Sequence, residues 1–161
     1  MKICCFTGHR DVDPRHLHEL LCLLKEEIAR LAEEGVTVFR NGGAIGFDTI
    51  SALKVIEAKK TYPQIRLEMY LPCRTQSDRW SDLQKEIYRF ILSQADRVVY
   101  TSEHYTRFCM LERDRRMVDG SDICMAYCLR SNGGTGYTCK YALKQNVPVL
   151  NLADRLPKNK N

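Results

Sequence analysis

The sequence lacks the patterns that mark several large classes of protein. No apolar run reaches the roughly 20 residues that a membrane-spanning helix needs. There is also no internal repeat, low-complexity segment or linker-like stretch. We therefore expect a single domain over residues 1–152, followed by a polar, frayed tail over 153–161. The chain has 161 residues, and 44% of them are hydrophobic, which is enough for a core and argues against disorder.

Cysteine is plentiful, but its arrangement does not favour a metal site or disulfides. The eight cysteines include no Cys-x-x-Cys pair, which is the short spacing typical of structural zinc sites. Most of them lie in apolar segments, where a free cysteine behaves as a small hydrophobic residue. The first apolar run is too short for a secretory signal peptide. We expect a reduced cytoplasmic protein that needs no metal or other cofactor.

The excess of positive charge is small. Lys and Arg number 25 against 20 Asp and Glu, which gives a formal net charge of +5. Proteins that bind nucleic acid usually gather a larger basic excess on one face. No helix-turn-helix, zinc finger or aromatic platform is evident, and aromatic residues make up 9%. Nucleic-acid binding stays an alternative, whereas membrane association is not expected.

Short apolar runs alternate with longer amphipathic ones, which predicts an α/β fold. We expect a Rossmann-like, doubly wound and mainly parallel sheet flanked by helices. Strands are predicted at 3–6, 36–39, 65–71, 98–100, 123–129 and 147–150. Helices are predicted to begin at Pro14, Asp48, Ser81, Phe108 and Tyr137. His16 and His18 are two apart on the first of these helices, so we expect their rings on different faces at the solvated surface.

Two glycine-rich loops each follow a predicted strand and precede a predicted helix. They cover residues 41–48 and 132–136. The carboxyl ends of parallel strands share one edge of a doubly wound sheet, and ligands bind in the crevice there. Glycine lets a backbone approach an anion, and a helix N-terminus offers free N–H groups. One such loop would favour simple turns, but two at one edge favour a phosphate site. Neither loop matches a dinucleotide or ATPase fingerprint.

Charged side chains fall at the same predicted edge. Arg10, Arg40 and Arg74 lie at or just after the ends of three different strands, and the guanidinium fork suits phosphate or carboxylate. Three solvated surface arginines are the alternative. The shared edge favours an anion-binding role for at least one of them, and Arg10 is the first choice.

The segment 110–119 carries dense charge on a predicted helix. An ion pair between Glu112 and Arg116, four residues apart, explains most of it. Arg113 falls on a different face and is not explained in this way. For catalysis, the acid–base candidates are Glu112, Asp48 and His9, because side chains of these types transfer protons. Their spacing pairs none of them with a partner.

Several of these segments together resemble the YpsA-like branch of the SLOG superfamily over roughly residues 2–150. The resemblance rests on Phe6-Thr7-Gly8-His9-Arg10, Gly42-Gly43-Ala44-Ile45-Gly46-Phe47-Asp48, Met117-Val118-Asp119-Gly120-Ser121-Asp122 and Gly133-Gly134-Thr135. It implies a Rossmann-like fold. The superfamily includes DprA, which binds single-stranded DNA, and LOG enzymes, which release ribose phosphate from nucleotide-type cytokinins. Other members are regarded as sensors of nucleotide-derived ligands.

Individual segments resemble motifs of DprA and of the LOG enzymes. The segment 43–48 is similar to the Ala-x-Gly-Ile-Asp loop of DprA. LOG enzymes have an arginine-bearing helix followed by the motif Gly-Gly-x-Gly-Thr-x-x-Glu. The segment 110–113 is similar to that helix, and the segment 133–136 is similar to the start of that motif. The match places Arg113 at the position of a LOG catalytic arginine. Tyr137 stands where LOG has Thr, and Lys140 stands where it has the catalytic Glu. A cation replaces the carboxylate that would stabilise a developing sugar cation, which favours a binding protein over a LOG-type enzyme.

The sequence and the resemblance together predict a sensor-type domain that binds a nucleotide or a nucleotide-derived ligand. One alternative is a hydrolase that cleaves nucleotide N-glycosidic or phosphate bonds, with Arg113, Glu112, Asp48 and His9 as candidates. Another is DprA-like binding of single-stranded nucleic acid. The identity of the ligand and a homo-oligomeric state stay open. The predicted ligand-binding residues are Thr7, Gly8, His9, Arg10, Gly42, Gly43, Ala44, Gly46, Asp48, Arg74, Gly133, Gly134, Thr135 and Gly136.

Overall fold

Alternating strands and helices build the chain, and the computed structural model describes residues 1–158. The strands are β1 (Lys2–Gly8), β2 (Val36–Asn41), β3 (Arg66–Leu71), β4 (Arg97–Tyr100), β5 (Ile123–Tyr127) and β6 (Val149–Asn151). The helices are α1 (Leu17–Glu33), α2 (Phe47–Ala58), α3 (Asp82–Gln94), α4 (Cys109–Val118) and α5 (Gly133–Lys144), and a short 3₁₀ helix covers Leu152–Arg155.

The six strands form one sheet in the order β4-β3-β2-β1-β5-β6, and all neighbouring strands are parallel. The chain builds the sheet outwards from β1 in one direction and then returns to add β5 and β6 on the other side. The predicted Rossmann-like, doubly wound α/β fold is therefore confirmed. The reversal lies between β1 and β5, where Gly8 pairs with Tyr127 at the carboxyl ends. A crevice is expected at such a point.

Apolar side chains fill the space on both sides of the sheet. The larger cluster packs α1, α2 and α3 residues on the strands, and its centre is aromatic. The ring centroid of Phe6 lies 5.9 Å from that of Phe39 and 6.2 Å from that of Phe47. The smaller cluster includes Met117 of α4 and Ala142 of α5. All eight cysteines are free, and the buried ones are Cys4, Cys5, Cys73, Cys109 and Cys124.

The first helix and the histidine before it differ from the prediction. Helix α1 begins at Leu17, not at Pro14, and His16 is buried rather than solvated. The ring Nδ1 of His16 lies 2.9 Å from the hydroxyl of Tyr127, and its Nε2 lies 2.9 Å from the carbonyl of Pro157. His18 is exposed as expected. The partners of His16 are more than 100 residues away in sequence, so local spacing does not reveal them.

The segment after β6 is also more ordered than expected. Leu152 and Leu156 are both buried in the larger core cluster. Arg155 donates a hydrogen bond of 2.6 Å to the carboxylate of Glu27 on α1. The expectation of a frayed tail is wrong for 153–157, because Leu152 just before this segment and Leu156 within it anchor it to the core. Residues 159–161 of the predicted tail lie outside the described residues.

Helix α5 begins four residues earlier than predicted. Its first residue is Gly133, so the glycines of 133–136 form the first turn of the helix and not a loop before it. Helix α3 agrees with its capping-box signature, because Ser81 and Gln84 exchange both capping hydrogen bonds. Within residues 1–158, no helix combines the length and the apolar character needed to cross a membrane.

The contact between Tyr127 and His16 predicts a measurable loss of stability. The Pro157 carbonyl only accepts, so Nε2 of neutral His16 carries the proton and Nδ1 accepts from Tyr127. The hydroxyl of Tyr127 also accepts from the backbone N–H of Asp13 at 3.2 Å. Tyr127→Phe strands both groups, and we expect urea unfolding to show a loss of about 1–3 kcal/mol in the free energy of unfolding.

Tyr62→Phe is the matched control. The hydroxyl of Tyr62 donates to the exposed carboxylate of Glu33 at 2.6 Å, so its removal should change the free energy of unfolding by about 0.5 kcal/mol or less. Equal effects of the two substitutions would contradict the structural role of Tyr127.

Candidate functional site

A cavity of about 300 Å³ opens where the strand order reverses. The carboxyl end of β1, the first turn of α2, the inner face of α4 and the N-terminus of α5 form its walls. Among the residues predicted from the sequence, those that line it are Thr7, Gly8, His9, Arg10, Ala44, Asp48, Arg113, Gly133, Gly134 and Thr135. The structure thus brings together two loops that are more than 80 residues apart in sequence. Their role in binding stays a prediction.

The N-terminus of α5 is open toward this cavity. Gly133 has a φ of +80°, and a Cβ placed on Gly133 or Gly134 has no heavy atom of residues 1–158 within 4 Å apart from those of its chain neighbours and its own helix backbone. The N-cap residue Asn132 makes no side-chain capping hydrogen bond. The first N–H groups of a helix have no partner within the helix, and they carry partial positive charge. This end of the cavity has the chemistry of an anion site.

In the other glycine-rich loop, residues 41–48, protein atoms pack directly against the glycines. A Cβ on Gly42 would lie 2.6 Å from the guanidinium of Arg113, and one on Gly46 would lie 2.2 Å from the carbonyl oxygen of Arg10. A Cβ on Gly43 would meet Leu71 at 2.7 Å. These three glycines do not line the cavity, contrary to the expectation that they face a ligand. Their small size instead allows the chain to pack closely around the site.

The last glycine of the second loop, Gly136, behaves in the same way as Gly42, Gly43 and Gly46. A Cβ on Gly136 would lie 2.2 Å from the carbonyl oxygen of Ser131. Gly136 therefore closes the turn into α5 and does not line the cavity, unlike Gly133 and Gly134.

The inner face of α4 supplies a buried ion pair. The side chain of Arg113 is 6% exposed, and its Nε lies 2.6 Å from a carboxylate oxygen of Asp114. Arg113 also donates to the carbonyl of Gly42. The other oxygen of Asp114 accepts a hydrogen bond of 3.1 Å from Thr138 on α5. This network joins the β2–α2 loop, α4 and α5.

The remaining charges of α4 differ from the prediction. Arg113 is buried whereas Arg116 is exposed, so the two lie on different faces of α4, as expected. Glu112 is exposed and does not line the cavity, so it has no place among the groups of this site. Within residues 1–158, the expected ion pair between Glu112 and Arg116 is not formed.

Asp48 is the most unusual acid of the cavity. One of its carboxylate oxygens accepts from the backbone N–H of Ala44 at 3.2 Å. The other oxygen, Oδ1, is buried and has no hydrogen-bond partner among the described residues. Burial raises the pKa of Asp48 to about 6, and Arg113 opposes this shift while Asp114 adds to it. Buried acceptors without a partner are rare in native proteins, which sets Asp48 apart from the other acids of the cavity.

Asp48 does not cap its helix, which corrects the prediction. The N-cap of α2 is Gly46, with a φ of +80°, and Asp48 lies in the first turn. The side chain of Asp48 is instead turned back onto Ala44 in the preceding loop.

His9 holds two loops together. Its Nε2 accepts a hydrogen bond of 2.8 Å from the backbone N–H of Leu129, so the neutral ring carries its proton on Nδ1. Burial, together with the charge of Arg130, lowers the pKa of His9. The neutral form that these effects favour is the one that the Leu129 hydrogen bond requires. His9 therefore ties the loop after β1 to the loop after β5.

The three arginines predicted at the strand ends do not converge. Arg10 lines the cavity, and its guanidinium lies 3.8 Å from the sulfur of Met110. Arg40 donates to the carbonyl of Asp119 at 2.9 Å and has a structural role. Arg74 stacks over the ring of Tyr100 at 4.2 Å and does not line the cavity.

Sequence reasoning did not assign several of the cavity residues to the site, namely Phe6, Asp11, Met110, Asp114, Met117 and Arg130. A helical period was available for the α4 group, because Met110, Arg113 and Met117 are spaced by three and four residues. Arg130 comes directly after the strand predicted at 123–129, so its place after a strand was a usable signal. Within the part of the chain that the structure describes, no group of three His, Cys, Asp or Glu side chains is placed to hold a metal ion.

Comparison with known proteins agrees with this architecture. The sequence profile of the YspA SLOG family matches residues 4–148. A UPF0398 protein of Brevibacillus brevis is 30% identical over 125 residues, which cover 76% of this chain and 66% of that relative. A UPF0398 protein of Bacillus pumilus is 30% identical over 103 residues, which cover 60% of this chain and 55% of that relative. The chain thus spans about two thirds and about half of the lengths of these two relatives.

Two solved structures of DNA processing protein A have the same fold. The protein from Helicobacter pylori, described for its single-stranded DNA binding mode, has a TM-score of 0.68 at 19% identity and covers 99% of this chain and 67% of its own. The protein from Streptococcus pneumoniae has a TM-score of 0.68 at 14% identity and covers 92% of this chain and 49% of its own. At these identities the likeness shows the fold alone.

The buried carboxylate of Asp48 predicts a pH-dependent stability. Its pKa is about 6 in the folded chain, whereas an unfolded Asp titrates near pH 4, so the folded state binds more protons between these values. The free energy of unfolding contributed by Asp48 is therefore complete below about pH 4 and falls as the pH rises through about 6. Asp48→Asn cannot ionise. We expect the wild type to lose on the order of 2 kcal/mol relative to Asp48→Asn between pH 4 and pH 7, measured by urea unfolding. A difference independent of pH would contradict the assignment.

Proposed function

We propose that this chain, which belongs to the YspA SLOG family, binds a phosphate-bearing nucleotide or nucleotide derivative in the cavity between β1 and β5. One observation carries the proposal. The same cavity contains an open helix N-terminus, which suits an anion, and a buried carboxylate oxygen without a partner, which needs a hydrogen-bond donor. A sugar phosphate presents both groups at once.

The anionic end of the ligand fits the N-terminus of α5. Gly133 and Gly134 leave its backbone N–H groups open, and the helix dipole favours negative charge there. Arg10 and Arg130 line the same cavity, and within residues 1–158 neither makes an ion pair. The third arginine, Arg113, is held by Asp114. Two guanidinium groups are therefore available to a phosphate.

The carboxylates fit the hydroxyl groups of a sugar. Oδ1 of Asp48 accepts a hydrogen bond from a ligand hydroxyl in this arrangement, and Asp114 is fixed nearby by Arg113 and Thr138. A cavity of about 300 Å³ is at the small end of ligand sites, which suits a ribose phosphate more than a whole dinucleotide.

A binding role is favoured over LOG-type catalysis by the position of Lys140. This residue stands where the LOG pattern has its catalytic Glu, and it is exposed on α5 and does not line the cavity. The neighbouring Tyr137 is engaged on the outer surface, where its hydroxyl accepts a hydrogen bond of 2.6 Å from Arg115. Both observations support a ligand-binding domain of the sensor type.

Gly134→Ala tests the anion site without changing any charge. Among the described residues, the added methyl group meets no atom within 4 Å apart from those of its chain neighbours and its own helix backbone, and alanine has a higher helix propensity than glycine, by up to about 1 kcal/mol. We expect equal or higher thermal stability, together with at least about tenfold weaker binding of ribose 5-phosphate and AMP in calorimetry, because the methyl group occupies the phosphate position. Unchanged affinity with unchanged stability would contradict the proposal.

A matched pair of arginines checks the same site in that experiment. Arg10→Ala should weaken the binding of both compounds, whereas Arg74→Ala should leave it unchanged, because Arg74 lies outside the cavity on Tyr100. The binding of a single-stranded oligonucleotide is the contrasting measurement. A steep salt dependence of that binding, together with an affinity that Gly134→Ala and Arg10→Ala leave unchanged, would instead favour DprA-like binding of single-stranded nucleic acid.

Hydrolysis of a nucleotide N-glycosidic bond is the second candidate function. It is favoured by Asp48, whose pKa of about 6 lets its carboxyl group carry a proton near neutrality. In such a reaction the oxygen of water forms a bond to the sugar carbon, the bond from that carbon to the base breaks, and the acid gives its proton to the leaving base. The water then releases one proton, which returns the carboxylate to its acid form. Asp114 is a second carboxylate in the same cavity.

Chromatography of AMP after incubation with the protein tests this candidate. If it is correct, free base and ribose 5-phosphate accumulate, release is faster at pH 5.5 than at pH 7.5, and Asp48→Asn abolishes it, because only the protonated acid can donate. An unchanged chromatogram at both pH values would contradict hydrolysis and leave the binding proposal intact.

A further inference from the structure

A second cavity of about 790 Å³ lies beside the first one. Arg10 and Met110 line both cavities, so the two share a wall. The remainder of the second cavity is formed by Ile45 of the β2–α2 loop, the turns after β3 and the segment after β4, at the same edge of the sheet. A ligand that extends past Arg10 from the first cavity therefore enters the second one.

The second cavity is lined by aromatic side chains. Trp80 lies in the segment between β3 and α3, and Tyr105 lies in the segment between β4 and α4. The ring of Trp80 meets that of Tyr88 edge to face, with 5.1 Å between centroids and 80° between planes. Tyr105 is 68% exposed. Aromatic rings placed in this way stack with the flat rings of nucleobases.

A hydrogen-bond acceptor in the wall also lacks a partner. The side-chain nitrogen of Gln76 donates to the carbonyl of Gly43 and to the hydroxyl of Tyr88, each at 3.3 Å. The Gly43 carbonyl only accepts, which fixes the orientation of the amide. Oε1 of Gln76 is left buried and unpaired among the described residues. The wall therefore contains an acceptor that can bind an N–H or O–H donor.

The helix beside this cavity does not offer an anion site. The capping box of α3 engages two backbone N–H groups at its N-terminus, because the side chain of Ser81 accepts from the N–H of Gln84 and the side chain of Gln84 accepts from the N–H of Ser81. Arg79 in the wall is accompanied by Asp78. The second cavity is therefore suited to a flat ring with N–H groups and not to a second phosphate.

We propose that the second cavity is the subsite for the nucleobase of the ligand. This inference rests on the proposed function, in which the sugar phosphate occupies the first cavity. The base passes the wall of Arg10 and Met110, stacks with Trp80 and Tyr105, and presents its N–H groups to the wall that contains Gln76.

The chain provides its own probe, because Trp80 is the only tryptophan. Ribose 5-phosphate should bind without changing Trp80 fluorescence, whereas AMP should quench it and bind about 5- to 150-fold more tightly, as expected for one stacked base. In calorimetry, Trp80→Leu should remove this advantage of AMP and leave ribose 5-phosphate unaffected. Phe90→Leu is the control, because Phe90 is an exposed aromatic residue of α3 that lines neither cavity.

The outcomes separate this inference from the proposed function. Equal affinities for ribose 5-phosphate and AMP, with unchanged fluorescence, would overturn the base subsite and leave the phosphate site in place. Absence of binding by both compounds would contradict the proposed function and the subsite that rests on it. Quenching of Trp80 by adenosine without any binding of ribose 5-phosphate would support the subsite and contradict the phosphate site.

Discussion

The buried ion pair between Arg113 and Asp114 is the interaction on which the cavity depends. It joins the carbonyl of Gly42, the face of α4 and the hydroxyl of Thr138 on α5 in a single network. Removing either partner would leave an uncompensated charge in a buried position, which is far more costly than the loss of a surface ion pair. The pair also sets the electrostatics of its neighbour, because Arg113 lowers and Asp114 raises the pKa of Asp48.

This network explains why two glycine-rich loops of similar composition serve different purposes. Gly42 must lack a side chain because the guanidinium of Arg113 occupies the space where its Cβ would lie. The space beside the first loop is therefore taken up by other parts of the protein. Gly133 and Gly134 face open space at the start of α5. The first loop therefore builds the wall, and the second loop offers the backbone that an anion requires. Composition alone does not distinguish the two cases.

The sequence was most informative where structure is determined locally. The alternation of apolar and amphipathic runs predicted the parallel sheet, and the pattern at Ser81 and Gln84 predicted the capping box of α3. It was least informative where distant segments meet. The burial of His16 depends on Tyr127 and Pro157, which no local period indicates. For the cavity, sequence reasoning identified the two loops and Arg113 but not Asp114. It also grouped Arg74 with Arg10, although Arg10 lines the cavity and Arg74 does not.

The charge balance of the cavity follows from the same contacts. Three arginines and three aspartates line it, namely Arg10, Arg113, Arg130, Asp11, Asp48 and Asp114, so the formal charges cancel. The selectivity for an anion that we propose cannot then come from net charge, and the overall value of +5 carries little information about partners. This selectivity comes instead from how the charges are arranged. Arg113 and Asp114 neutralise each other, and the pKa of Asp48 near 6 reduces the negative charge of that residue in mildly acidic solution. The open N-terminus of α5 adds the positive end of its helix dipole. A bound anion would in turn favour the protonated form of Asp48, so occupancy of the cavity and protonation of Asp48 are linked.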